Sequence, residues 1–145
     1  MNTNQTYTIS QRNLLLLGTI LTAIGCFLPW EIEGDFFSVW TYGVQLHPIF
    51  ADNGGITVLL FCIFINGLLF RSSNFTNYPI SWILGCSIAL VMISTYHIVD
   101  LWIRHIAVWG IVGPPTIRFG LILVGIGSLI NLTTSLFMYF AKNKK

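Results

Sequence analysis

The 145-residue chain is apolar and carries little charge: 54% of its residues are hydrophobic, 8% are charged, and the formal net charge is +2. A soluble domain has roughly 25% charged residues, so this composition excludes a soluble globular protein and indicates an integral membrane protein. The small net charge also excludes the basic surface that nucleic-acid binding requires. Residues 1–145 are predicted to form a single domain.

Charged residues separate four apolar runs in the sequence. A helix needs about 20 mostly apolar residues to cross the hydrocarbon core, with a range of about 17–25. Because lipid cannot hydrogen-bond an exposed backbone, runs of this kind must be helical. The predicted spans are residues 13–30, 54–70, 79–101 and 118–140, with outer loops at 31–53 and 102–117 and an inner loop at 71–78.

The positions of Lys and Arg predict the orientation, because cytoplasmic loops carry an excess of basic residues. With the N-terminus inside, only Arg104 and Arg118 are outside, together with all the acidic residues. The expected fold is an all-α membrane protein, a four-transmembrane-helix bundle of the plasma (inner) membrane with N-in/C-in topology. The basic residues on the cytoplasmic side are then Arg12, Arg71, Lys142, Lys144 and Lys145.

The first outer loop is expected to contain a short strand or hairpin. Glu33-Gly34-Asp35 is typical of a turn, and Val39-Trp40-Thr41-Tyr42 consists of residues that favour strands. Asp52 or Asn53 is the expected cap of the second span. Aromatic rings near span ends are predicted to lie at the membrane interface; these are Trp30, Trp82, Trp102 and Tyr139.

Small residues predict where the helices pack, because helices in lipid associate through close contact. Ser81, Gly85 and Ala89 recur every fourth residue and define one face of the third span. Asn131 lies near the middle of the fourth span and is predicted to point inward, where an interhelical hydrogen bond is favoured over a substrate contact. The other predicted seams contain Gly18, Thr22 and Cys26 in the first span and Gly120, Gly125, Gly127 and Ser128 in the fourth.

A polar cluster is predicted on the outer side. His97, Asp100 and Arg104 share one helical face, and His47 and Asp52 belong to the first outer loop. A small ligand would bind there, because ligand sites need converging polar groups in a mostly apolar cleft. The alternative is that Asp100 and Arg104 only anchor the helix end in the headgroups. No His-x-x-x-His spacing occurs, so no metal or other cofactor is predicted; haem or pigment ligated by His97 is a minor alternative.

Three segments resemble uncharacterised small four-span membrane proteins of bacteria and archaea. They are Gly25-Cys26-Phe27-Leu28-Pro29-Trp30 at the end of the first span, Asp52-Asn53-Gly54-Gly55 before the second, and Gly113-Pro114-Pro115 before a glycine-rich last span. The resemblance covers most of the chain and implies the topology but no activity. Claudin-like proteins also have a strand-bearing first outer loop, with a Trp and a Cys pair. This chain has Trp40 there but no Cys, so their role is not carried over.

No catalytic or phosphate-binding motif occurs, and an enzyme is not predicted. The leading hypothesis is a non-enzymatic accessory, assembly or scaffold subunit of a membrane complex, with the bilayer and other membrane protein subunits as partners. It rests on the lack of charges inside the spans, where transporters usually keep them. One alternative is a cofactor-binding subunit of an electron-transfer or photosynthetic complex that uses His97. The other is a small transporter or channel lined by Asn66, Ser94, Thr95 and Asn131.

Overall fold

The structure, a computed structural model, describes residues 3–33, 39–42, 54–71, 80–109 and 119–143. These residues form four helices and two short strands. In chain order the elements are α1 (Thr3–Phe27), β1 (Pro29–Glu33), β2 (Val39–Tyr42), α2 (Gly54–Arg71), α3 (Ile80–Trp109) and α4 (Phe119–Asn143).

Three of the described helices are long and apolar enough to cross a membrane. Their apolar stretches are Ile9–Phe27 in α1, Ile80–Ile103 in α3 and Phe119–Ala141 in α4, with mean hydropathies of 1.2, 1.8 and 1.9. The apolar stretch of α2, Gly54–Phe70, is shorter. The described helices also expose large apolar side chains around their outer surface, which suits lipid and would cause aggregation in water. The chain is therefore a membrane protein by the length and composition of its helices.

The helices pack as a bundle in which α1 contacts α4 and α2, and α3 contacts α4 and α2. The contact between α1 and α4 is the most extensive of these. The interior is apolar along the bundle, with Leu15, Ile65, Leu90 and Val124 fully buried. The cysteines Cys26, Cys62 and Cys86 are buried thiols, as their positions in apolar runs predict.

Two helices extend beyond the predicted spans. α1 begins at Thr3 and ends at Phe27 rather than at residue 30, because a proline at position 29 cannot continue the helical hydrogen bonding. α3 continues to Trp109 rather than ending near residue 101. Arg104 is therefore helical and does not belong to a loop.

The segment predicted to be the first outer loop begins as a two-stranded antiparallel ribbon. Ile32 pairs with Trp40 and Glu33 with Val39, so the strand predicted over Val39–Tyr42 is present. The register shifts between Pro29 and Glu31, which leaves Trp30 as the extra residue of a bulge. A bulge re-aims the side chain at its position, and here it turns Trp30 into the bundle.

The packing face predicted for α3 does not lie against the other described helices. Ser81 and Gly85 are exposed and Ala89 is half-buried, and a Cβ added at Gly85 would meet no atom within 4 Å. α3 instead turns a neighbouring face to the bundle. The buried residues of that face are Ile83, Cys86, Ser87, Leu90, Ser94, His97 and Leu101. Four-residue spacing identifies a face of a helix, but it does not say which side meets the bundle.

Candidate functional site

The backbones of α1 and α4 come into close contact where the two helices cross. A Cβ on Gly25 would lie 2.7 Å from the carbonyl oxygen of Gly120, and one on Gly127 would lie 2.6 Å from that of Gly18. Real Cβ contacts are essentially never below 3.0 Å. The two backbones therefore touch, as small residues allow in membranes. The predicted seam of α1 is thus an interface, and Gly127 belongs to its counterpart on α4, whereas a Cβ on Gly125 would contact nothing within 4 Å.

Buried hydroxyls near this crossing bond to their own helices. Thr22 donates to the carbonyl oxygen of Gly18 at 2.8 Å, and Ser128 donates to that of Val124 at 2.6 Å. On α3, Ser87 donates to the Ile83 carbonyl oxygen at 2.8 Å. Hydroxyls satisfied in this way need no partner from another helix, so they do not by themselves form a polar path.

A polar contact between helices joins α1 to α2. The buried Thr19 hydroxyl donates to the Leu16 carbonyl oxygen at 2.9 Å and lies 3.1 Å from Asn66 Oδ1. Asn66 was predicted only as a channel-lining residue, and Thr19 was not singled out. The sequence signal that could have identified this contact is that Asn66 is the one amide side chain in the apolar α2. An amide in an apolar helix is stabilised by a hydrogen bond to another helix.

Asn131 carries unsatisfied polar atoms in the interior of the described bundle. Its side chain is 0% exposed and points inward as predicted, with Oδ1 packed against Gly18. Within the described residues neither Oδ1 nor Nδ2 has a hydrogen-bond partner, so the predicted interhelical hydrogen bond was wrong. The physical reason is that the facing residue is a glycine, which offers only a weak Cα–H donor. An unpaired buried amide costs about 1–3 kcal/mol.

At the end of the bundle where α1 ends and α2 begins, three segments meet at His97. The side chain is 8% exposed and its ring meets that of Trp30 edge-on, with centroids 5.1 Å apart and an interplanar angle of 69°. Its Nε2 packs against Gly54, the first residue of α2, where any Cβ would collide with the imidazole. α3, β1 and α2 therefore meet at this histidine.

Trp30 closes the end of α1. Its indole N–H donates to the Gly25 carbonyl oxygen at 2.9 Å, and the Leu28 amide donates to the same oxygen at 3.3 Å. The last carbonyls of a helix have no partner within it, so these two bonds satisfy one of them. Trp30 is only 7% exposed, so its ring packs inside the bundle, and its predicted depth at the membrane interface stays a prediction. Trp82 and Trp102 are exposed as that prediction requires.

The structure describes part of the predicted outer polar cluster. His97 faces the bundle and contacts β1, which is the orientation that a ligand site there requires, and Asp100 is half-buried. Arg104 lies in α3 but its side chain is outside the described residues, as are His47 and Asp52. Ligand binding at this cluster stays a prediction.

Haem or pigment at His97 stays the minor alternative to the prediction that no cofactor is bound. The contact between Nε2 and Gly54 would have to open before a haem iron or pigment magnesium could bind that nitrogen. In the described part of the chain, no three His, Cys, Asp or Glu residues are grouped so that they could hold a metal ion.

Three comparisons of the chain with known proteins found no relative. The chain matches no protein-family model, no curated protein and no solved structure at a significant level. Its function therefore has to be inferred from its own residues and their contacts.

Proposed function

We propose that this chain is a non-enzymatic subunit of a membrane complex, with four helices in the plasma (inner) membrane and both termini in the cytoplasm. The observation that carries the proposal is the outward face of α3. Gly85 lies within this long helix, is exposed, and has no neighbour within 4 Å of the position of a Cβ. A glycine inside a helix costs about 0.5–1 kcal/mol relative to alanine, and no contact within the described chain offsets that cost.

A partner helix would offset the cost of Gly85. Ser81 is also exposed and Ala89 is half-buried, so together with Gly85 they form a small-residue strip on the outer surface of α3. Helices in lipid approach one another closely along such strips. The proposed partner is therefore a transmembrane helix of another subunit that presents small residues of its own.

The first experiment compares Gly85→Leu with Gly67→Leu. Gly67 of α2 is a matched control, because it is also an exposed helical glycine with no neighbour within 4 Å. Both variants are expected to give the wild-type yield and thermal unfolding temperature. Only Gly85→Leu is expected to lose subunits that co-purify in mild detergent, by roughly tenfold or more, which corresponds to about 1.4 kcal/mol.

The co-purification experiment can also contradict the proposal. If Gly85→Leu and Gly67→Leu retain the same subunits in the same amounts, the strip on α3 faces lipid alone. If Gly85→Leu fails to fold while Gly67→Leu folds, α3 uses this face within its own chain. Either result removes the observation on which the proposal rests.

The second experiment tests the orientation. Reporter fusions at Asn74 and after Lys145 are expected to be cytoplasmic, and one near Gly43 is expected to be outside. The reason is the bias of Lys and Arg toward the proposed inner side. A cytoplasmic reporter near Gly43 would reverse the orientation.

A small transporter or channel is the second candidate, and Asn131 favours it. Asn131 packs on Gly18, and Asn66 contacts the next residue of α1, Thr19. The two amides therefore lie at a similar height in the bundle, where a polar solute would need partners. Solute flux into liposomes that contain the purified chain, above the flux into empty liposomes and abolished by Asn131→Leu, would support this candidate. Flux equal to that of empty liposomes is expected for a structural subunit.

A further inference from the structure

An open groove lies between α1 and α4 at the end of the bundle opposite to His97. Its volume is about 320 Å³, at the lower end of the roughly 300–1,000 Å³ typical of ligand sites. It is lined by Ser10, Gln11 and Leu14 of α1 and by Thr133, Thr134 and Phe137 of α4. All six lie within the apolar stretches of α1 and α4, so the groove opens to whatever surrounds the helices.

The side chains of the groove are amphipathic. Leu14 and Phe137 are exposed apolar residues, and Ser10 and Gln11 supply polar groups beside them. Thr134 is 7% exposed. Its neighbours Thr133 and Ser135 donate to carbonyl oxygens of their own helix at 2.9 and 3.0 Å. The Thr134 hydroxyl makes no such bond among the described residues, which leaves a donor available to a molecule in the groove.

Basic residues lie in the helix ends on this side of the bundle and follow them in the sequence. Arg12 is next to Gln11 in α1, and its guanidinium lies 5.6 Å from the centre of the Phe70 ring near the end of α2. Lys142 follows Phe137 in α4, and the sequence continues with Lys144 and Lys145. The acidic residues of the chain are Glu31, Glu33, Asp35, Asp52 and Asp100. Of these, Glu31, Glu33 and Asp100 lie toward the other end of the bundle. Basic clusters beside a membrane attract anionic lipids.

We propose that this groove binds an anionic phospholipid. An ester carbonyl oxygen accepts the hydrogen bond from Thr134, and its acyl chain packs on Leu14 as it runs toward the middle of the bundle. Phe137 packs beside the glycerol backbone, and the phosphate lies toward Ser10 and Gln11, at the end of the bundle where α1 carries Arg12. The proposal requires that the chain is embedded in a membrane. It does not depend on the partner helix proposed for α3, because the two surfaces are on different helices.

The test is native mass spectrometry of the purified full chain, titrated with dioleoylphosphatidylglycerol or dioleoylphosphatidylcholine. The two lipids have the same acyl chains and differ in headgroup charge. We expect one phosphatidylglycerol to bind saturably and roughly tenfold more tightly than phosphatidylcholine, because each nearby basic residue favours the anion. Ser10→Trp, which fills the mouth of the groove from an exposed position, is expected to abolish the saturable binding.

A pair of isosteric variants keeps the test independent of folding. Thr134→Val removes the available hydroxyl and is expected to weaken phosphatidylglycerol binding roughly two- to tenfold, the effect of one hydrogen bond. Thr95→Val is the control, because Thr95 is exposed on α3 and does not line the groove, and it is expected to bind as the wild type does. Equal binding of the two lipids would overturn the proposal, as would equal phosphatidylglycerol binding by the two threonine variants.

Discussion

Gly127→Leu is expected to prevent the bundle from forming, whereas Gly125→Leu, two residues away in the same helix, is expected to fold normally. A Cβ at Gly127 already collides with the Gly18 carbonyl oxygen and the Thr22 hydroxyl, so a leucine there requires the backbones of α1 and α4 to separate. Overpacking a core costs about 1–3 kcal/mol when side chains can adjust. Here the obstacle is backbone, so we expect a loss of about 3 kcal/mol or more.

The measurement is the yield of monodisperse protein in mild detergent, followed by the thermal unfolding temperature. Gly125→Leu is the matched control because nothing lies within 4 Å of its Cβ position. Gly127→Ala should fall between Gly127→Leu and the wild type, since even one methyl group is too large for the crossing. If both leucine variants unfold at the wild-type temperature, α1 and α4 do not cross at these glycines.

Trp30→Ala is expected to destabilise the chain by about 3–5 kcal/mol, the range for removing a buried aromatic side chain. The substitution removes the ring that packs on His97 and the indole donor to the Gly25 carbonyl oxygen. Trp30→Phe keeps an aromatic ring and loses the donor, so a smaller loss of about 0.5–1.5 kcal/mol is expected. The difference between the two variants separates ring packing from the hydrogen bond.

Trp82→Ala is the control for Trp30→Ala, because Trp82 is 67% exposed on α3. Its removal is expected to leave the unfolding temperature close to that of the wild type in detergent. The measurement is thermal unfolding of all three tryptophan variants at the same detergent concentration. Similar unfolding temperatures for Trp30→Ala and Trp82→Ala would mean that Trp30 does not pack inside the bundle.

The features that could be predicted from sequence depend on local composition. Charged residues bound the apolar runs, so the class of protein and the existence of the helices follow from lipid's inability to satisfy polar groups. β-favouring residues at Val39–Tyr42 predicted the strand that pairs with β1. Of the seam predicted on α1, Gly18 and Thr22 lie at the crossing with α4, together with Gly25.

The features that could not be predicted depend on how elements meet. A strip of small residues has the same spacing whether it faces the bundle or lipid, and so spacing alone could not place Gly85 on the outer surface of α3. The inward turn of Trp30 depends on a bulge that forms only when β1 pairs with β2. The unsatisfied amide of Asn131 depends on which residue of α1 is opposite, and sequence spacing within α4 carries no information about that.

During synthesis, α1 leaves the ribosome well before α4 exists. Roughly 90 residues separate Phe27 from Phe119, which takes about 5–18 s at the usual rate of about 5–20 residues per second. Through that interval the glycine surface of α1 is uncovered in the membrane, and any neighbouring helix with small residues competes with α4 for it. The native bundle therefore forms late in translation. A nascent chain that stalls before α4 is made would leave the glycine surface of α1 open to association with a non-native helix.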